Sequence, residues 1–458
     1  MVHMEHLDRS LNKTLWKLAL PIILQNALTT ALNLIDSLMI GQISSDSSAE
    51  FVAVGFANQI FFALSLIMMG ITGATQVFTA QYYGKKDYQN INRSLGIGIL
   101  TCGTFCLIVQ VLGCVLPEHS IALFTNDPEV IRLGGRYMAI VSWSYIVTGL
   151  TFVYSGVLRS VHRVNLPMAV SVVGVILNTL LNWILIYGKL GFAPMGVDGA
   201  AIATLVSRVI QFAIILIFVY FPRSELSATP RELFSISKSF AVRFFKYTVP
   251  IAANEALWGI GTSIYSVYYG RISTSAAAAA MVASNIEKFA WIIISSLGSV
   301  TAIILGNALG RNEEKNILRY YAKKMQNNIT IWSIALGIAI AAFAWLFPLL
   351  FSLDAEAISV SPYLILILAI LIPIKSSNFN RVIGILRAGG DSTYTCVLES
   401  LLVWCVSIPL GYLFYNVMGL GIIPVFAIVH IDEIIKLPIL AARCKKEKWM
   451  KNLAQETK

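Results

Sequence analysis

The sequence predicts an all-α polytopic membrane protein, and three observations carry that prediction. The 458-residue chain is 57% hydrophobic and only 13% charged, with a mean hydropathy of +0.73, whereas soluble domains carry about 25% charged residues. Apolar segments long enough to cross a bilayer recur along the whole chain. Alternation at period two is absent over long stretches, so an outer-membrane barrel is not expected.

Twelve apolar segments have the length of a transmembrane helix, which needs about 20 residues. Segments longer than this are expected to tilt, bend or extend past the bilayer. They are 15–41, 51–82, 93–115, 130–158, 164–188, 196–221, 245–270, 277–308, 325–349, 357–386, 392–416 and 418–442.

The positive charge follows a pattern along the chain. The net charge is +10, and Lys and Arg gather in every second loop. This positive-inside pattern is typical of a multi-pass protein of the inner (plasma) membrane and argues against nucleic-acid binding. Both termini are therefore expected to be cytoplasmic. No cleavable signal peptide is expected, because the first apolar segment is too long for one.

The second half of the chain repeats the first. Seven residues in and just after the first segment recur 229 positions later, and Gly156–Arg159 recurs as Gly384–Arg387. Each half has six crossings, so two pseudo-symmetric bundles are expected around an axis along the membrane normal, with a cleft between them. We predict an N-terminal lobe (1–221), a cytoplasmic linker (222–244), a C-terminal lobe (245–442) and a basic cytoplasmic tail (443–458).

A polar stripe lies on one helical face of the first segment, and its spacing of three, four and three residues places its members together. The stripe is Asn26, Thr29, Asn33 and Asp36. A charge inside a bilayer is costly, so Asp36 is expected to face a protein interior or a watery cavity. A desolvated carboxyl group can hold a proton near neutral pH, so we predict that Asp36 takes up and releases a cation. A structural ion pair is the alternative.

The repeat maps this stripe onto the seventh segment. The corresponding residues include one acid and three aromatic rings: Glu255, Trp258, Thr262, Tyr265 and Tyr269. A carboxylate beside aromatic faces attracts organic cations, so these residues are predicted to bind substrate or a second cation. Aromatic rings at helical spacing are also common in ordinary packing and at membrane interfaces.

Amides and hydroxyls on other segments are candidate partners of Asp36. Asn178 and Asn182 lie one turn apart on the fifth segment, Tyr145 lies on the fourth, and Thr204 lies on the sixth. Buried amides are costly, so we expect the two Asn residues to hydrogen-bond Asp36. The alternative for any hydroxyl is an ordinary interhelical hydrogen bond.

The C-terminal half carries further charges within its apolar segments, and some must pair because unpaired ions in a membrane are expensive. Glu287 with Lys288, and Glu433 with Lys436, are expected to be structural or to lie near the interface. Lys375 is predicted to contact substrate. The remaining charges are Arg381, Glu399 and Asp432.

Catalytic and cofactor signatures are missing: the sequence has no P-loop, nucleophile elbow or HExxH motif. We therefore expect a non-enzymatic transporter without a cofactor, driven by an ion gradient. One proton moved across 100 mV supplies about 2.3 kcal/mol. The expected partners are a small-molecule substrate, H⁺ or Na⁺ and the lipid bilayer, with the chain as a monomer.

Several motifs in this order resemble the multidrug and toxic compound extrusion (MATE) family over nearly the whole chain. They are LALPIILQNALTTALNLIDSLMIG, FTAQYYGKKD, GVLRS, GVDGAAIATLVSR and GILRAGGDST. The resemblance implies two six-helix lobes that form a V-shaped cleft. It also implies antiport, in which a drug-like and usually cationic amphipath leaves as protons or sodium ions enter.

The resemblance also implies roles for single residues. Asp36 matches the acid that binds the coupling ion, and Pro21 matches a proline that lets the first helix bend. Asn178 matches a polar position on the fifth helix, where Asn182 replaces a second acid found in some members. Glu255 matches an acid of often sodium-coupled members. We favour proton coupling at Asp36, with Na⁺ at Asp36 or Glu255 as the alternative.

Two other functions stay open. A flippase for lipid-linked oligosaccharides or other anionic substrates, of the same superfamily, would use Lys288, Lys375 and Arg381 to hold a phosphate. A membrane enzyme or scaffold is the third hypothesis, against which the missing motifs and the duplicated stripes argue.

Overall fold

The computed structural model describes residues 2–40, 48–221, 226–351 and 353–455, and these are helical or irregular, without a strand. The chain divides into two compact units, Met1–Thr248 (unit 1) and Val249–Lys458 (unit 2). The predicted all-α fold class is confirmed. The lobe boundaries at 221, 245 and 442 stay a prediction.

Unit 1 begins with eight helices in chain order, followed by a short ninth and the start of a tenth. They are α1 (Val2–Ile40), α2 (Ser48–Gly84), α3 (Tyr88–Val115), α4 (Pro117–Ala122), α5 (Pro128–Val141), α6 (Ser144–Ser160), α7 (Asn165–Tyr187), α8 (Gly196–Tyr220), α9 (Pro230–Leu233) and α10 (Lys238–Ile272).

Small residues let the helices of unit 1 pack closely. A Cβ on Gly199 would lie 2.8 Å from the carbonyl oxygen of Leu185, so α8 rests directly on the backbone of α7. A Cβ on Gly156 would lie 2.7 Å from the Thr72 side chain, which fits α6 against α2. Such contacts are typical of membrane helices, whose association depends on close van der Waals packing.

Unit 2 contains the rest of α10 and seven further helices, three of them extended or interrupted by π-helical turns. The α-helices are α11 (Thr274–Gly310), α12 (Lys315–Ala342), α13 (Ala355–Phe379), α14 (Ser392–Leu402), α15 (Ile408–Tyr412), α16 (Ile422–Ile428) and α17 (Ile431–Lys445). The π-helical stretches are Asn380–Arg387, Val403–Ser407 and Leu413–Val417. A 3₁₀ turn covers Phe347–Leu350.

The π-helical stretches carry or adjoin charged and polar side chains of the interior. Arg381 and Arg387 lie in the first stretch, and Ser407 ends the second. A π-helical turn widens the helix by one residue and shifts the direction of the side chains that follow, and such turns are frequent at functional sites. The described part of unit 1 contains none.

Nine helices of the described residues are long and apolar enough to cross a membrane. The pair α5 and α6 is a tenth candidate, bent by 51° at its break, so the predicted segment 130–158 is not one straight helix. The predicted segments 245–270 and 418–442 lie in α10 and in the pair α16–α17. Each of the twelve predicted segments therefore corresponds to a helix or a broken helix.

The described part of the predicted linker, from residue 226 onward, packs on unit 1. Thr229 caps α9 and forms a capping box with Glu232, and the N–H and hydroxyl of Thr229 lower the pKa of Glu232. Leu233 is buried, and its carbonyl oxygen would lie 2.0 Å from a Cβ on Gly96 of α3. Only glycine at position 96 lets the linker lie this close.

The described residues that follow α17 pack against the rest of unit 2. Trp449 is buried, and its carbonyl oxygen would lie 1.9 Å from a Cβ on Gly389. Asn452 Nδ2 donates to the carbonyl of Leu309 at 2.9 Å. The described part of the predicted basic tail is therefore packed against the loops that follow α11 and precede α14.

We predict that Gly96→Ala loosens the linker. The added methyl group overlaps the Leu233 carbonyl, and overpacking of this kind costs about 1–3 kcal/mol. Trypsin cleavage after Arg231 should accelerate, and the midpoint of thermal unfolding in detergent should fall. Gly55→Ala is the matched control, because nothing lies within 4 Å of its Cβ. Equal cleavage rates in both variants would contradict the close contact.

Candidate functional site

A small cavity in unit 1 lies between α1, α2, α5, α6 and α8, and its volume is about 30 Å³. That volume holds one or two water molecules. Its walls combine polar, charged and aromatic side chains. They include Asp36, Asn58, Phe61, Tyr137, Ser144, Tyr145, Thr148, Thr204 and Arg208.

Asp36 is held by a chain of amides and hydroxyls. Its Oδ1 accepts a hydrogen bond from Asn182 Nδ2 at 2.6 Å. Asn182 Nδ2 also donates to Asn178 Oδ1 at 3.0 Å, and Asn178 Nδ2 lies 3.4 Å from Thr204 Oγ1. The structure therefore brings together four predicted residues from α1, α7 and α8.

The amide pair also leaves an acceptor unused. Asn178 and Asn182 are fully buried, and Asn182 Oδ1 has no hydrogen-bond partner among the described residues. Because a buried polar atom is normally satisfied, this oxygen is available to a proton donor or a small cation beside Asp36.

Arg208 is a site residue that the sequence reasoning missed. It lies on α8, lines the cavity with Asp36, and its Nη1 donates to Gln211 Oε1 at 3.2 Å. One carboxylate and one guanidinium give the cavity a net charge near zero. The signal was present in the sequence, because an arginine within an apolar segment is functional by default.

The other predicted residues of unit 1 lie in several places. Tyr145 lines the cavity, and its hydroxyl lies 3.3 Å from Met138 Sδ. Asn26 is half-buried, and its carbonyl accepts the Thr30 hydroxyl at 3.0 Å. The side chain of Asn33 lies outside the described part of the chain.

Pro21 lies inside the continuous helix α1. It has no N–H to donate to the carbonyl one turn earlier, so the helix lacks one of its hydrogen bonds there. Bending of α1 is therefore easiest at this turn, about four turns before Asp36.

Glu255 belongs to a buried triad in unit 2. Arg387 Nη1 donates to Glu255 Oε1 at 2.8 Å, and Arg387 Nη2 donates to Glu399 Oε2 at 2.9 Å. Asn254 Nδ2 also donates to Glu399 Oε2, at 3.0 Å. The Arg387 side chain is only 5% exposed, so two carboxylates share one buried cation and the triad has a net charge of −1.

Lys375 forms an ion pair with Glu287, with 2.5 Å between Nζ and Oε1. The expected pairing of Glu287 with Lys288 is therefore wrong, since Lys288 donates instead to Asn285 Oδ1 at 3.3 Å. A helical neighbour at i+1 points away from residue i, whereas Lys375 on α13 faces Glu287 across the helix interface.

The predicted aromatic residues on α10 differ in their burial. Tyr265 and Tyr269 belong to the hydrophobic core of unit 2, with their rings 6.0 Å from His430 and 5.7 Å from Phe426. Trp258 is half-buried, and its carbonyl accepts the Thr262 hydroxyl at 3.1 Å. Trp258 is thus the ring of this stripe that a ligand reaches most easily.

Comparison with known families decides the assignment. The MatE family model matches residues 21–184 and again residues 250–413. The chain belongs to the MatE family. The second match begins and ends 229 residues after the first, the same offset as the repeat in the sequence. This MATE protein is therefore an integral membrane transporter with an internally duplicated fold.

Similar proteins span almost the whole chain. The uncharacterized transporter YisQ of Bacillus subtilis is 24% identical over 95% of each chain. A probable multidrug resistance protein NorM of Thermotoga maritima is 22% identical over 96% of this chain and 94% of its own. A MOP superfamily transporter from Pyrococcus furiosus superposes with a TM-score of 0.85 at 19% identity, over 96% of this chain and 97% of its own.

We predict that Arg387→Met destabilises unit 2, because it leaves two partly buried carboxylates without a counterion. Removing one partner of a buried ion pair costs about 3–5 kcal/mol. The midpoint of thermal unfolding in detergent should fall clearly, and adding Glu255→Gln and Glu399→Gln should restore part of the loss. Arg132→Met is the control, since that arginine pairs with Glu129 on the exposed surface. Equal midpoints for both single variants would show that the triad contributes nothing.

Proposed function

We propose that this MATE transporter exports amphipathic, mostly cationic organic compounds in exchange for protons, and that Asp36 carries the proton. The observation that supports this most directly is the Asp36 carboxylate, hydrogen-bonded to Asn182 in a small polar cavity. A carboxylate in such a place is costly, and an acid within a membrane segment is functional by default.

The surroundings of Asp36 favour a proton over Na⁺. A hard cation needs several oxygen ligands, as bound Ca²⁺ and Mg²⁺ do, whereas a proton needs one lone pair. Asp36 faces the N–H of Asn182, and Arg208 places a further set of N–H donors in the same cavity.

Exchange follows from competition for one negative charge. A cationic substrate and a proton both neutralise Asp36, and a buried carboxylate gains little from holding both at once. Entry of the proton down its gradient supplies about 2.3 kcal/mol per 100 mV, which drives the release of substrate against its own gradient. Alternating access of a cleft between the lobes 1–221 and 245–442, with cytoplasmic termini, completes the proposal.

The charge of unit 2 supports a cationic substrate. The Glu255 triad has a net charge of −1, and Trp258 lies one helical turn away on α10. A negative site beside an aromatic face is suited to an organic cation. Relatives named as multidrug resistance proteins agree with a broad substrate range.

The contacts of the three cations argue against the phosphate site that the flippase hypothesis requires. Lys375 is paired with Glu287, and Arg381 Nη1 donates to Ser377 at 2.7 Å. Lys288 lies on the exposed side of α11. Because Lys375 is already engaged by a carboxylate, less positive charge is left for a phosphate.

We predict that Asp36→Asn lowers proton-driven ethidium transport in proteoliposomes more than about tenfold, because an amide cannot bind the proton. Ethidium fluorescence and a lumenal pH dye should be followed together. Glu118→Gln, the same chemical change at an exposed position on α4, should transport like the wild type. Wild-type antiport in the Asp36→Asn variant would remove Asp36 from the mechanism.

We also predict that a Na⁺ gradient imposed without a pH gradient does not drive ethidium transport by the wild type. Asn182→Asp replaces an N–H donor with carboxylate oxygens next to Asp36, so this variant should gain Na⁺-driven transport. Asn178→Asp is the neighbouring comparison, and its carboxylate would lie one step further from Asp36. Strong Na⁺-driven transport by the wild type would contradict proton selectivity.

A further inference from the structure

A second buried charge cluster lies on α17 and shares no residue with the Asp36 cavity or the Glu255 triad. Lys436 Nζ lies 2.9 Å from Asp432 Oδ2 and 2.8 Å from Glu433 Oε1. The three side chains are 4%, 7% and 15% exposed, respectively. Two carboxylates again share one buried cation, so this Lys436 cluster has a net charge of −1 and lacks one positive charge.

The charged neighbours do not supply the missing charge. Four groups face the cluster from other helices or from the start of α17. They are Lys375, which is paired with Glu287, His430, whose Nδ1 lies 2.8 Å from the Phe426 carbonyl, the phenol of Tyr265, and Glu399, which shares Arg387 with Glu255. A net negative charge in a low-dielectric interior favours uptake of a proton.

Glu433 is the carboxylate best placed to take that proton. Both acids have both carboxylate oxygens bound, Asp432 by Lys436 and by the Ser407 hydroxyl at 3.1 Å, and Glu433 by Lys436 and by the Asn378 amide. They differ in exposure, and Asp432 is the less exposed of the two. Glu433 is about twice as exposed as Asp432, which gives it the better contact with water.

The partner of Glu433 provides a second, independent observation. Asn378 Nδ2 donates to Glu433 Oε2 at 2.8 Å and to the Glu433 carbonyl at 2.7 Å. Asn378 is only 2% exposed, yet its Oδ1 has no hydrogen-bond partner among the described residues. An amide carries a donor and an acceptor side by side, so turning it would offer Oδ1 to the O–H of a protonated Glu433.

We propose that Glu433 is a second exchangeable-proton site of this transporter. It lies in unit 2, and the amide of Asn378 forms a different hydrogen bond with each of its protonation states. The charged state accepts the Asn378 N–H, and the protonated state donates its O–H to Asn378 Oδ1. Protonation makes the Lys436 cluster neutral. The π-helical stretch that starts at Asn380 begins two residues after Asn378, so the switch lies close to a widened helix turn. The inference extends the proposed proton exchange but is tested without transport.

The test is infrared difference spectroscopy on the full-length protein in detergent, between acidic and alkaline buffer. A carboxylic acid and a carboxylate have distinct C=O bands, so each exchanging group contributes to the difference. In Glu433→Gln the carboxyl signal should lose the contribution of one group. Glu356→Gln is the same change at an exposed position. It should remove only a signal that appears in the pH range where solvent-exposed carboxyl groups ordinarily titrate. Asn378→Ala should move the midpoint of the Glu433 signal without removing it.

Two outcomes would overturn the proposal. One is a buried-carboxyl signal unchanged in Glu433→Gln. The other is a signal that survives in Glu433→Gln and disappears in Glu399→Gln, which would place the proton at Glu399 instead. If Glu433→Gln folds poorly, Asn378→Ala still tests the proposal. An unchanged midpoint of the Glu433 signal in that variant would also contradict the proposal. Transport by Asp36→Asn reports separately on the proposed function, so the two failures are distinguishable.

Discussion

The cost of burying charge in a low-dielectric interior governs this molecule more than any other constraint. Each ionised side chain inside the bilayer needs a partner, and the structure meets that need differently in the two units. In unit 1, Asp36 receives an amide N–H and shares its cavity with Arg208. In unit 2, Arg387 and Lys436 each hold two carboxylates. The first arrangement is near neutral, and the second lacks positive charge.

The two units therefore carry different charged residues at corresponding positions of a duplicated fold. Repeat position 36 of the first half corresponds to Tyr265 in the second, and Glu255 corresponds to Asn26. Arg387 has a counterpart in Arg159, which forms no ion pair in the described part of unit 1. Duplication preserved the helices, whose packing depends on small and apolar residues. The charged positions differ between the two halves.

Much of the fold could be predicted from the sequence because it depends on local properties. Segment length, hydropathy and the alternation of basic loops locate the helices, and the repeat offset of 229 residues recurs in the two family matches. The breaks could not be predicted in the same way. The 51° bend between α5 and α6 and the three π-helical stretches arise where packing against other helices outweighs the regular pattern of one helix.

The sequence by itself determined which side chains carry charge within the membrane, because an acid in an apolar segment is visible without any coordinates. It also indicated that Asn182 and Asp36 lie close together. Only the tertiary structure decided the remaining partners, such as Lys375 for Glu287 and Arg387 for Glu255. The physical reason is distance: these partners lie 88 and 132 residues apart in the chain, and helix packing alone brings them within about 3 Å.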